Sequence, residues 1–217
     1  MLNQQARETM IRQQLRTGGV TDPAVLRVVN ETPREAFVPP AYRSFAYADF
    51  RIPLANGQEM FYPEDEALIL QALSIQSTDQ ILEIGTGSGY FTALLAQLGG
   101  AVTSVDICQS FIDAARSNPL LTQYRGINWM CGDASKGPLK VSATYDIIFI
   151  SGGLYFLPPA YLEALNPGGR LVAIIGQPEV MDAMLYTKTG AGLLQKRLFE
   201  TVTPYLVNAQ PLENFKF

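Results

Sequence analysis

The residues best suited to chemistry lie in the run Ile81-Leu82-Glu83-Ile84-Gly85-Thr86-Gly87-Ser88-Gly89-Tyr90, followed by Ser104-Val105-Asp106. An apolar stretch that enters closely spaced glycines and then a helical pattern lets a ligand approach the backbone without meeting a Cβ. It also aims the first amides of the helix at that ligand. Asp106 lies seventeen residues beyond Gly89, at the expected end of the next strand, where one carboxylate can accept from both hydroxyls of a ribose. Gly132-Asp133 follows a third strand, so that Asp133 could accept from an adenine amino group while Ile107 and Ala134 enclose the ring with apolar surface.

The glycine spacing selects among nucleoside ligands. Dinucleotide sites use G-x-G-x-x-G with a pyrophosphate on the helix terminus, whereas this chain has G-x-G-x-G with Glu83 two residues before the first glycine. A buried carboxylate repels a pyrophosphate and favours the ammonium of a methionine moiety. S-adenosyl-L-methionine is therefore the expected cofactor, with Glu83, Gly85, Thr86, Gly87, Gly89, Asp106, Ile107, Asp133 and Ala134 as its expected contacts. A nicotinamide-dependent oxidoreductase is the disfavoured alternative.

The elements that must position these residues follow from periodicity. From residue 64 the pattern alternates: a helix over 64–73, a strand over 80–84, a helix over 90–98, a strand over 101–106 and a helix over 109–118. Strands are then expected at 128–131, 145–151 and 170–176, with a helix near 159–165 and a turn at Asn166-Pro167-Gly168-Gly169. Such alternation implies an α/β fold, a mostly parallel central sheet with helices on both faces. Residues 184–187 and 193–199, flanking Gly190-Ala191-Gly192, read as a C-terminal antiparallel hairpin. Residues 1–55 carry seven Arg against five acids, and the remainder nine bases against fifteen acids. The first stretch is accordingly expected as a helical and irregular appendage, and 56–217 as the main domain within one structural unit. Helices are expected over 3–16, stopped by Gly18-Gly19, and from Asp22-Pro23, where Pro suits a first turn. Tyr42, Phe45, Tyr47 and Phe50 are expected to pack rather than to touch a ligand.

Composition narrows the function. The 217 residues carry 16 Lys plus Arg against 20 Asp plus Glu, a net charge of −4, which offers no field for nucleic acid or anionic lipid. His is absent, which excludes Ser-His-Asp and Cys-His nucleophile pairs, His-ligated zinc and a His general base. Cys108 and Cys131 fit no metal-ligand spacing and are expected as free, mostly buried thiols. With neither a leader nor a spanning helix visible, the expected compartment is the cytoplasm, with no membrane partner and a monomeric state.

Longer segments resemble the protein-L-isoaspartate O-methyltransferase family over most of the chain. Val20-Thr21-Asp22-Pro23-Ala24-Val25-Leu26 and Thr32-Pro33-Arg34-Glu35-Ala36-Phe37-Val38-Pro39 are similar to two of its N-terminal segments, and 82–90 to its first motif. Tyr145-Asp146-Ile147-Ile148 and 165–172 resemble two later ones. The resemblance implies a Rossmann-like methyltransferase domain, a role in protein repair, and methyl transfer from S-adenosylmethionine to an isoaspartyl carboxylate of a protein or peptide. By residue, it implies cofactor roles for Glu83, Gly85, Gly87, Asp106 and Asp133.

One departure bears on the acceptor. The family carries G-Q-T-x-S-Q-P before the main domain, and this chain reads Gly57-Gln58-Glu59-Met60-Phe61-Tyr62-Pro63, with Phe61 at the serine position. Glu59, Glu64, Asp65 and Glu66 stand near the expected mouth, where they would repel an incoming carboxylate, and for Glu64, Asp65 and Glu66 the equal reading is that they open the next helix, whose N-terminal dipole favours acids. Tyr62 and Ser151 are the candidate replacement hydroxyls. Carboxylate methylation remains the leading expectation, and a cofactor-binding homologue without isoaspartyl activity, acting as a regulator or partner-binding protein, is the alternative.

Overall fold

The computed structural model describes residues 2–210, and the aromatic tail Phe215-Lys216-Phe217 lies outside them. Seven strands form one sheet: β1 (Gln80–Ile84), β2 (Ala101–Asp106), β3 (Ile127–Cys131), β4 (Tyr145–Leu154), β5 (Leu165–Gln177), β6 (Val180–Thr189) and β7 (Gly192–Glu200). Their order is β3-β2-β1-β4-β5-β6-β7. The first five are parallel, and β6 and β7 add antiparallel strands at one edge. The order reverses beside β1, which pairs with β2 on one side and β4 on the other. In a parallel sheet such a reversal opens a crevice at the carboxyl ends of the strands.

Helices α1 (Leu2–Met10), α2 (Pro23–Glu31), α3 (Pro63–Leu73), α4 (Tyr90–Leu98), α5 (Gln109–Ser117), α6 (Pro119–Thr122) and α7 (Pro159–Glu163) complete the fold. Local chemistry explains their starts. Asp22 caps α2 by accepting from Ala24 N at 2.7 Å, with Pro23 in the first turn. In α3, Glu64, Asp65 and Glu66 follow Pro63 in the first turn, where the helix dipole favours them.

Two buried clusters sandwich the sheet. One gathers Leu70 of α3, Leu95 of α4 and Phe149 of β4, and the other gathers Ile148, Tyr161 and Leu171. Val28, Ile52 and Met60 belong to the same cluster as Leu95 and Phe149, so the N-terminal segments pack on the sheet through shared apolar surface. Among the described residues no helix is long and apolar enough to cross a membrane.

Boundaries agree with periodicity wherever an apolar run is continuous, as at β1, α4 and β2. They differ where backbone geometry intervenes. The first helix changes into a π turn over Ile11–Leu15. The turn expected at Asn166-Pro167-Gly168-Gly169 lies inside β5, because the strand already pairs at Tyr145↔Leu165 and absorbs the extra residues through a register shift. Residues 119–122 form the unanticipated α6, with Asn118 accepting from Leu120 N at 3.0 Å. Cys108 is half-buried and Cys131 exposed, contrary to expectation, since both stand where strands emerge from the core. Phe45 and Phe50 are also exposed and touch ring to ring at 5.6 Å, while Tyr47 is buried.

Candidate active site

The turn after β1 is built from glycines in the left-handed region. Gly85 has φ +94°, and a Cβ on it would come 2.0 Å from Ser151 Oγ, so this close approach of β1 to β4 requires glycine. Gly89 has φ +80° and opens α4, where a Cβ would strike Leu121 and Ala115. That glycine allows close helix packing, and it stands off the cleft described below.

Asp106, at the end of β2, is only 8% exposed. Its Oδ2 accepts from Gly87 N at 3.0 Å and its Oδ1 from Cys108 N at 2.9 Å, so one carboxylate ties the glycine turn to the turn before α5. Burial pushes its pKa above the usual Asp value, against the pull of these backbone N–H groups. Each oxygen retains a further lone pair.

A cleft opens above Asp106 at the carboxyl ends of the strands. Its floor includes Ile84, Gly85, Gly87 and Asp106, and Ile107 and Ala134 stand on the side of β2 and β3. Ser151 and Gly152 line the β4 side, and Leu54, Gln58 and Glu59 come from the loop before α3. Thr203, Leu206 and Val207 form a further wall, beyond the expected cofactor contacts. They come from a segment that crosses β4, with Leu206 N donating to Gly153 O at 3.0 Å and Gly153 N to Pro204 O at 2.8 Å. Gly152 and Gly153 admit it, since Cβ atoms there would clash with Leu206 and with Thr203 O. The pair Gly152-Gly153 is the local signal in β4 for this crossing. Sequence reasoning missed Phe111 and Cys108; the helical spacing that places Phe111 toward the sheet could have found the former.

Several expected contacts lie off this wall. Glu83 is fully buried between β1, β2 and α4. Its Oε2 accepts from Thr92 Oγ1 at 2.5 Å and Ser104 Oγ at 2.6 Å, and Oε1 has no partner among the described residues. Burial pushes its pKa up to about 8, against the pull of these two hydroxyls, so it is largely neutral at pH 7 rather than the anion that charge reasoning assumed. Thr86 Oγ1 pairs with Ser104 Oγ at 2.6 Å, which extends the same buried network to the glycine turn. Asp133 is exposed, accepting from Ser135 N and from Asn208 Nδ2, each at 2.9 Å, and its carboxyl is held below the usual range by these bonds.

The loop over 57–63 differs most from expectation. Phe61 does not face the cleft: it is buried against Phe149, with Arg51 over its ring at 5.4 Å, because the loop turns this side chain into the core. Tyr62 stands beside α3 beneath the Arg51 guanidinium, also off the cleft wall. Three of the four acids, Glu59, Asp65 and Glu66, do not crowd the mouth as unpaired charges, whereas Glu64 has no base within ion-pair distance among the described residues. Arg34, fully buried, donates to both oxygens of Glu66 at 3.1 and 3.2 Å and to Phe61 O at 2.6 Å. Burial nevertheless raises the Glu66 carboxyl to about 7. Arg51 pairs with Glu59 at 2.6 Å and Asp65 at 3.3 Å. Ser151 is the sequence-derived hydroxyl that does line the cleft, its Oγ donating to Ile84 O at 2.9 Å.

A parallel sheet reversing at β1, with a glycine turn and an acidic residue at the next strand's end, defines a Rossmann-like methyltransferase fold. A family model described as Protein-L-isoaspartate(D-aspartate) O-methyltransferase matches residues 4–208. The chain is 37% identical over 182 residues to a protein-L-isoaspartate O-methyltransferase of Methanoculleus marisnigri, covering 84% of this chain and 82% of that protein. A counterpart from Aeropyrum pernix is 38% identical over 197 residues, covering 89% and 75%. Among solved structures, a protein-L-isoaspartate O-methyltransferase superposes with a TM-score of 0.77 at 25% identity, over 92% of this chain and 65% of that one. A Plasmodium falciparum structure in complex with S-adenosyl-L-homocysteine gives 0.77 at 16% identity, over 92% and 97%, a likeness of fold. The chain belongs to the protein-L-isoaspartate (D-aspartate) O-methyltransferase family of S-adenosylmethionine-dependent enzymes.

Proposed function

We propose that this chain methylates the free carboxylate of isoaspartyl residues in proteins or peptides, as a monomeric cytoplasmic enzyme in which residues 1–55 brace the domain formed by 56–217. The observation that carries the reading is a single cleft holding both the Asp106 carboxylate and, toward β4, the Ser151 and Thr203 side chains. The residues present fit S-adenosylmethionine. Gly87 leaves its part of the turn bare of a Cβ, and Glu83 Oε1 is a buried oxygen with no partner among the described residues behind that turn.

Asp106 would take the ribose hydroxyls with the lone pairs that the Gly87 and Cys108 amides leave free. Ile107 and Ala134 would enclose the adenine, and Asp133 would accept from its amino group with a lone pair that the Ser135 and Asn208 donors leave free. The bound cofactor supplies an electrophilic methyl group on a sulfonium. The chain's own contribution is positional. Leu54, Leu206 and Val207 give the cleft apolar lining, Thr203 offers a hydroxyl that orients the acceptor, and Ser151 does so by turning its hydrogen from Ile84 O toward the cleft. A carboxylate acceptor is already ionised at neutral pH, so orientation can supply most of the acceleration without a base, and lack of His is no obstacle.

Titration calorimetry with S-adenosylmethionine, S-adenosylhomocysteine and NAD, followed by transfer of a tritiated methyl group to an isoaspartyl peptide and its aspartyl isomer, tests the reading. Binding of the first two ligands and labelling of the isoaspartyl peptide alone are expected. Binding without labelling would favour a non-catalytic, partner-binding role, the reading supported by the loss of a hydroxyl at position 61.

A further inference from the structure

Glu59 and Asp106 are the two carboxylates on the cleft wall among the described residues, and the mechanism above gives Glu59 no task. Its Oε1 is held by Arg51 Nη1 at 2.6 Å, and its Oε2 makes no hydrogen bond among the described residues. Arg51 cannot leave this post cheaply. Its Nη2 is shared with Asp65 Oδ2 at 3.3 Å and Thr201 Oγ1, and its guanidinium lies over the rings of Phe61 and Tyr62 at 5.4 and 4.8 Å.

Among the described residues Arg51 is the only base within ion-pair distance of Glu59 or Asp65. One guanidinium between two carboxylates leaves one negative charge on this side of the cleft. Asp49 acts on Asp65 and Glu64 with the same sign. An acceptor carboxylate entering here adds a second negative charge in a partly desolvated place, where like charges are costly. An acceptor that carries its own cation beside the reacting carboxylate cancels that cost.

We propose that Glu59, held in place by Arg51, is a specificity-determining residue that selects isoaspartyl acceptors with a cationic neighbouring side chain and rejects those with an anionic one. Arg51 acts through Glu59 and is a positioning residue. The inference rests on the peptide-carboxylate reading above.

The test uses two isoaspartyl peptides of equal length, one with Lys and one with Glu flanking the modified residue. Their kcat and KM are measured with the full chain, and their binding to the chain loaded with S-adenosylhomocysteine is followed by fluorescence anisotropy. The Lys peptide should be favoured by about five- to tenfold at low salt, as expected for partly exposed charge pairs. The preference should sit in KM and Kd rather than kcat, and it should shrink in about 0.5 M NaCl. In Glu59→Gln the ratio should fall toward one. Equal treatment of both peptides by the natural chain, or a ratio unchanged in Glu59→Gln, overturns the inference. The salt dependence of the natural chain decides the matter should that variant fail to fold. A charge preference in binding without methyl transfer upholds the inference and sinks the proposed reaction, whereas transfer without preference does the reverse. Failure of both peptides to bind overturns both.

Discussion

Replacing Asp106 with Asn keeps the side chain's shape and removes its charge, which makes the change a direct probe of the cleft floor. Asp106 now accepts from two backbone donors, Gly87 N and Cys108 N, one on each oxygen. The Asn amide nitrogen must face one of these N–H groups, so one bond is lost and the other becomes neutral. A hydrogen bond to a charged group is worth about 1.5–3 kcal/mol, and relief of the burial that raises the Asp106 pKa returns part of this. A stability loss of about 2 kcal/mol is therefore expected in urea denaturation. If ribose hydroxyls also donate to Asp106, one more charge-assisted bond disappears, and the Kd for S-adenosylhomocysteine should rise about ten- to hundredfold by calorimetry. Asp106→Ala should lose more on both counts. Binding within twofold of the natural chain, with circular dichroism unchanged, would refute the ribose assignment; an unchanged denaturation midpoint would refute the clamp between the two turns.

Glu83 gives a pH signature: its folded pKa of about 8 lies above the ordinary 4.5, so its contribution to stability is full below about pH 4.5 and is lost as pH rises toward 8. Glu83→Gln should flatten that part of the stability profile in denaturation series from pH 5 to 9, and an unaltered slope would show that Glu83 is not the titrating group. Arg34→Met breaks a buried ion pair and leaves Glu66 without its partner, which should cost about 3–5 kcal/mol, and Glu66→Gln in the same background should recover part of it. Phe61→Ser, which restores the family's residue, should leave a cavity beside Phe149 at a cost of about 3–5 kcal/mol without raising methyl transfer, since the side chain lies in the core. A variant as stable as the natural chain and more active would show that position 61 faces the acceptor after all.

The sequence alone determined what depends on short-range pattern. The spacing of Gly85 and Gly87 after an apolar strand, and Asp106 at the end of the next, specify a glycine turn tied to a carboxylate at the carboxyl ends of the strands, because the backbone freedom and strand periodicity behind them are local. The alternation of elements likewise specifies a parallel sheet with a closing hairpin, as found. Tertiary structure alone decided which side chains reach the cleft and which charges are paired. Aligned by sequence, Phe61 stands in an acceptor loop and the neighbouring acids look like a repulsive cluster. Folded, Phe61 turns onto Phe149, Arg34 takes up Glu66 from 32 residues away in sequence, and the loop brings Arg51 onto Glu59 and Asp65. The wall formed by Thr203, Leu206 and Val207 depends on a chain segment crossing β4 some fifty residues away in sequence, at Gly153↔Tyr205. Burial and ion pairing are sums over such long-range neighbours, so no local pattern of residues encodes them.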